Sequence, residues 1–306
     1  MTMFAGCRSA ELFDAATSTT FPLLVLYPTS SPEQPSQLGP YPASLSTDAP
    51  IAAGMFPLVV ISHGTGGSPL LYRTLAAHLA RGGFVVAMPE HPRNNRNNDD
   101  LAGTHVILAN RPRHIRIVID WMLTSEDLAP SLHPHTVAII GHSLGGYTAL
   151  AVAGGRPTAF AHETPDRRPR TVNVTPDDRV AALVLLAPAT AWFMADGALN
   201  DVSVPILMFT AGQDEHTLRW QGEIVTSGVP DRALVDHRIV PNAGHFSFTS
   251  PFPVVMISPA LTPSQDPEGF DRQRFHEHMN DEVLAFLRRV TRARRPPRPP
   301  PGPATS

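Results

Sequence analysis

The stretch VAIIGHSLGGYTALAVAGG, Val137 to Gly155, decides the fold. Its opening apolar run reads as a buried strand, and the small and apolar residues after Ser143 read as a helix. Between them, Gly141-His142-Ser143-Leu144-Gly145 matches the pattern G-x-S-x-G, which sets a serine at a sharp strand-to-helix turn. A serine so presented adopts strained dihedrals, and side chains two residues to either side would collide. Glycine at 141 and 145 removes those side chains, and Gly146 lets the new helix sit close to the sheet. The helix amino terminus places partial positive charge beside Ser143, where an oxyanion would develop. Five residues alone are a weak signal; the strand before and the helix after make Ser143 a candidate nucleophile.

Outward from this turn, strands and helices alternate. FPLLVLYP (Phe21–Pro28), FPLVVISHG (Phe56–Gly64), FVVAMPEH, VAALVLLAP and VPILMFTAGQD read as strands, and DHRIVPNAGHF holds a short last one. PLLYRTLAAHLARGG, RPRHIRIVIDWMLT and DRQRFHEHMNDEVLAFLRRV read as helices. This order predicts an α/β fold, a mostly parallel central sheet with helices on both faces, whose functional residues collect at the strand carboxyl ends. The proline- and serine-rich segment between the first two of these strands reads as an extended surface loop. Residues 1–292 are expected to form one domain, with Gly155–Arg179 a cap or mobile loop beside the site. Residues 293–306 are basic and proline-rich, a composition expected of a disordered tail.

Composition narrows the chemistry. The chain has 306 residues, 42% hydrophobic and 17% charged, as a globular protein with a sizeable core requires. A net charge of −3 offers no basis for nucleic acid as partner. No apolar run approaches the ~20 residues that span a bilayer, and the start lacks a secretory pattern, so the expected location is cytoplasmic. Cys7 is the only cysteine, which excludes an intrachain disulfide; it reads as a small residue in an early strand. All 24 residues counted as Lys+Arg are arginine. Schiff-base lysines, serine–lysine dyads and phosphate-loop lysines are therefore excluded, and any base for Ser143 must be another residue type.

That base is expected to be His245, in the loop VPNAGHFSF after the last strand, with the acid between serine and histidine in chain order. Asp214, at a strand end in TAGQDE, is the first choice; Glu215, Asp196 and Asp201 are the alternatives. His245 would take the Ser143 proton and pass it to the leaving group, while Asp214 holds the imidazole tautomer and its charged form. The oxyanion donors expected are the backbone amides of Leu144 and of Thr65, the latter in the glycine-rich SHGTGGS turn. Each such donor is typically worth about 3 kcal/mol in the transition state. His63 and His142 flank these residues and read as supporting or packing groups, with His142 also a candidate at the substrate pocket. Arg93 and Arg96, in EHPRNNRNNDD, are candidates for an anionic substrate group, and Phe246, Phe248, Trp192 and Phe193 for an apolar pocket wall. No H-E-x-x-H or other compact metal pattern occurs, and neither a metal nor a cofactor is required.

GHSLGG, SHGTGG, TAGQDE and NAGHFSF, in that order, resemble the α/β-hydrolase superfamily. More narrowly, EHPRNNRNNDDLAGT, NRPRHIRIVIDWML and the closing DPEGFDRQRFHEHMNDEVLAFL resemble predicted dienelactone-hydrolase-like proteins and their platelet-activating-factor acetylhydrolase relatives. The resemblance implies a serine ester hydrolase with the triad Ser143, Asp214 and His245. It departs from true dienelactone hydrolases, which carry cysteine at the elbow, and so implies simple, small or short-acyl esters as the small-molecule partner. An acyltransferase or lipase-like enzyme with the same triad, and a non-catalytic binding protein of this fold, are the competing expectations.

Overall fold

The computed structural model describes residues 2–293. Its strands are β1 (Phe4–Asp14), β2 (Thr19–Thr29), β3 (Gln34–Leu38), β4 (Tyr41–Thr47), β5 (Phe56–Ser62), β6 (Val85–Pro89), β7 (Leu132–His142), β8 (Thr158–Ala159), β9 (Arg170–Thr171), β10 (Val180–Leu186), β11 (Ile206–Ala211) and β12 (Val235–Val240). Its α-helices are α1 (Arg73–Arg81), α2 (His105–Thr124), α3 (Leu144–Val152), α4 (Arg219–Gly228) and α5 (Arg272–Ala293). Ten strands form one sheet in the order β12-β11-β10-β7-β5-β6-β2-β1-β4-β3. The run from β6 to β12 is parallel, while β2 joins β6, and β1 joins β2, antiparallel.

Side chains alternate across this sheet, and both faces are covered, which explains the unbroken apolar runs. On β7, Val137 and Ile139 enter the core shared with Ile115, Val118 and Tyr147, whereas Ala138 and Ile140 enter the core shared with Leu75, Val283 and Leu287. Helices α2 and α3 thus cover one face, α1 and α5 the other. The chain beyond Ala293, where the basic tail was expected, lies outside the described residues.

The segment expected as a surface loop between β2 and β5 instead folds as the β3–β4 hairpin and extends the sheet. Gly6 and Cys7 of β1 pair with Ser46 and Thr47 of β4, and Tyr41 and Leu45 are buried. Pro35 is tolerated because β3 is the sheet's edge strand. Helix α2 also starts at His105, earlier than the Arg111 that its periodicity indicated, so that Pro112 falls inside the helix. Proline cannot donate to the carbonyl of Leu108, and the Tyr147 hydroxyl takes that place at 3.0 Å. Residues 155–179 form the short antiparallel pair β8–β9 with a 3₁₀ turn, Ala161–Glu163, between them.

Candidate active site

The site is assembled at the carboxyl ends of β5, β7, β11 and β12. Ser143, between β7 and α3, has φ 54° and ψ −121°, a left-handed backbone that a side-chain-bearing residue adopts at a cost. A Cβ at Gly141 would overlap the Gly145 carbonyl, and one at Gly145 would overlap the carbonyl of Ser62 at the end of β5. The two glycines therefore let β7, the elbow and the neighbouring strand end approach backbone to backbone. Gly146 meets Pro188, in the loop after β10, so the close approach there is to a loop and not to the sheet itself.

His245 Nδ1 lies 2.9 Å from Oδ2 and 3.1 Å from Oδ1 of Asp214, and both side chains are buried. Asp214 also accepts from the backbone N–H of His216 and of Thr217, each at 2.8 Å, and from the Thr217 hydroxyl at 2.7 Å. Burial pushes the Asp214 carboxyl up, but the His245 hydrogen bond and charge, with the Thr217 donors, outweigh it and hold the group below the usual carboxylate range. Glu215, Asp196 and Asp201 are exposed, and Asp201 faces Arg156 at 3.2 Å.

His142 Nε2 lies 2.9 Å from the backbone carbonyl of His245, so that nitrogen carries the proton. Nδ1 then accepts from the Tyr72 hydroxyl at 2.9 Å. Burial, with the neighbouring His245, lowers the His142 pKa to about 3, so the ring stays neutral and buttresses the His245 backbone.

Beneath the SHGTGGS turn lies a buried polar network. The fully buried guanidinium of Arg111, on α2, reaches the His63 carbonyl, Asn94 Oδ1 at 2.6 Å, Thr148 Oγ1 at 3.1 Å and Ser62 Oγ at 3.3 Å. Asn94 Nδ2 in turn donates to Thr65 Oγ1 at 2.8 Å, and His63 Nε2 accepts from the His91 N–H at 3.0 Å. Burial lowers Arg111 to about 9 and, with the Arg111 charge, His63 to about 3. His91 also sits 3.2 Å from His114 through their Nδ1 atoms, yet no group of metal-holding geometry occurs among the described residues.

Two cavities meet at Ser143. One, of about 270 Å³, is lined by Gly64, Gly67, Leu71, His142, His245 and Phe246. The other, of about 370 Å³, is lined by Ile107, Leu108, Leu144, Phe160, Glu163 and Trp192. Thr65, Ser143 and His216 line both.

Of the sequence-level candidates, the fold thus brings together Ser143, Asp214, His245, Thr65, Leu144, His142 and Phe246. Trp192 faces the larger cavity, whereas Phe193 and Phe248 are buried core residues. Arg93 is a correction: it is exposed, lines neither cavity at Ser143, and is held by Asp100 at 2.8 Å, so its charge is already matched outside the site. Arg96 lines a neighbouring cavity of about 230 Å³ with Tyr41 and Phe252. Asn94, Arg111, Phe160 and Glu163 escaped the sequence reading of the site. For the first two, a signal was present in the NNRNN and NRPR phrases; no local pattern marked the others.

A family model described as chlorophyllase matches residues 21–164. Among curated relatives, the chloroplastic chlorophyllase-1 of Citrus sinensis is 29% identical over 136 residues, 41% of this chain and 36% of that one. Chlorophyllase type 0 of Chenopodium album is 25% identical over 194 residues, 58% of this chain and 50% of that one. The chain thus spans half or less of the length of these relatives. The solved ferulic acid esterase from Streptomyces cinnamoneus is 20% identical, with a TM-score of 0.70 over 96% of this chain and 92% of the esterase. Among the described residues no helix is long and apolar enough to cross a membrane. With its mostly parallel sheet, its strained serine elbow and its likeness to a solved esterase, the chain has the α/β-hydrolase fold.

Proposed function

We propose that the protein hydrolyses small carboxylic esters through an acyl-enzyme formed on Ser143. One observation carries this reading: the Asp214 carboxylate engages His245 Nδ1, leaving Nε2 as the base for a serine that lines the same cavity. The matches to the chlorophyllase family and to an esterase of the same fold support it.

In the first half-reaction, Ser143 Oγ bonds to the ester carbonyl carbon and its proton moves to His245 Nε2. The carbonyl electron pair moves onto oxygen, where the backbone N–H groups of Thr65 and Leu144 receive it. The carbon–oxygen bond to the alcohol then breaks, and Nε2 returns the proton to the departing oxygen. A water repeats the sequence on the acyl-enzyme, releasing the carboxylic acid and restoring Ser143. Asp214 stays ionised throughout, in keeping with its depressed pKa. No metal or cofactor takes part in these steps.

A fluorophosphonate probe tests the reading, because it marks a serine only where a base and an oxyanion site activate it. Labelling is expected on the native chain and lost in Ser143→Ala, together with hydrolysis of p-nitrophenyl acetate. Folded native protein that neither labels nor turns over the ester would overturn it.

A further inference from the structure

The larger cavity at Ser143 has a wall of fixed chemistry. Trp192 sits between Phe160 and Tyr147, its ring 6.1 Å from the first at 43° and 5.1 Å from the second at 69°. Its indole N–H is held by both carboxylate oxygens of the buried Glu163, at 3.0 and 2.9 Å. The same carboxylate accepts the backbone N–H of Phe160 at 2.7 Å, so one acid fixes both aromatic residues. Phe160 and Trp192 remain partly exposed at the cavity, while the aliphatic side chains of Ile107, Leu108 and Leu144 also line it. Aromatic faces held rigidly favour offset or edge-on contact with another planar ring. At about 370 Å³ the cavity is near the lower end of small-molecule sites, room for one compact arm of a substrate.

The two cavities also differ in which catalytic groups they contain. His245, which must return a proton to the alcohol, lines the smaller one, and Leu144, whose amide would face the acyl oxygen, lines the larger. An ester straddling Ser143 therefore directs its alcohol along the glycine-rich turn and its acyl group towards Trp192. We infer that the cavity walled by Phe160 and Trp192 is the acyl subsite, and that it selects esters of planar aromatic acids. This rests on the ester-hydrolase reading above and names the acid half of its substrate.

The test compares kcat/KM for p-nitrophenyl 3-phenylpropenoate with that for p-nitrophenyl nonanoate, an acyl chain of equal carbon number, in the native protein, Trp192→Ala and Trp192→Phe. The ratio divides out any loss of folded protein. It is expected to favour the aromatic acyl group, to fall about tenfold in Trp192→Ala, chiefly through KM, and to be largely retained in Trp192→Phe. The mirrored pair, 3-phenylpropyl acetate against nonyl acetate, should show no such response. An aromatic-to-linear ratio that Trp192→Ala leaves unchanged, with turnover intact, overturns the subsite alone. A response confined to the mirrored pair overturns the assignment of the acyl arm. Absence of Ser143-dependent turnover of all four esters, with no fluorophosphonate labelling, overturns the hydrolase reading itself.

Discussion

Asp214 and Glu215 are adjacent carboxylates with opposite environments. The first is buried against His245 and the Thr217 donors, and the second is exposed. Exchange of Asp214 for Asn keeps the shape but removes the charge that fixes the His245 tautomer, so kcat is expected to fall about 10⁴-fold. Glu215→Gln, on the exposed side, is expected to leave kcat within about twofold. Steady-state hydrolysis of p-nitrophenyl acetate by the two variants decides this, and a larger loss in Glu215→Gln would reverse the assignment. Both residues were legible as candidates from their place at the end of an apolar strand. Which one turns inward depends on how the turn after β11 packs on the loop carrying His245, some thirty residues later in the chain. Sequence neighbours carry no record of that.

At the scale of elements, the serine elbow is a close approach of three backbones. Because a Cβ at Gly145 would strike the carbonyls of Ser62 and His63, Gly145→Ala must separate α3 from the end of β5. The expected loss is about 3 kcal/mol of stability, seen as a lower urea midpoint. A midpoint matching the native protein would show that the elements yield at no cost. The same packing links helix α2 to the SHGTGGS turn, through the Arg111 guanidinium and Asn94. Helical periodicity marks RPRHIRIVIDWMLT as a helix, and Ile115, Val118, Ile119 and Met122, which share one face at that spacing, are all buried. It did not identify Arg111 as an inward residue, because a charged side chain enters a core only when distant partners meet it. Nor did it carry α2 back from Arg111 to His105, since the hydroxyl that satisfies Leu108 belongs to Tyr147 on another helix.

For the whole molecule, buried neutral histidines make stability depend on pH. His63 and His142 are lowered to about 3 and His276 to about 4, each by burial first, while the unfolded chain binds protons near the ordinary value of 6.5. Between those values the unfolded state carries more protons, so stability rises with pH through the window and is lost as pH falls. Each such histidine contributes about 1.4 kcal/mol per pH unit there. Asp214, whose folded pKa is depressed, adds in the same direction below pH 4. Thermal unfolding between pH 7 and 4.5 should therefore show a melting temperature that declines steadily below about pH 6.5. A melting temperature flat to pH 4.5 would mean that these rings are protonated, or solvated, within the fold.

What the sequence determined by itself is local in origin. The steric demand of a strand–serine–helix turn is met by residues 141, 143 and 145, and unbroken apolar runs mark strands buried on both faces. The absence of lysine directs attention to histidine, and the chain order places Asp214 and His245 after Ser143. The tertiary structure decided which segments pair and which side chains meet. It turned the proline-rich β3–β4 segment into sheet, matched Arg93 to Asp100 away from the cavities, and set Phe160 beside Trp192 above the serine. These outcomes follow from which residues face each other after folding, since a shift of one residue turns a strand's side chains to the other face of the sheet.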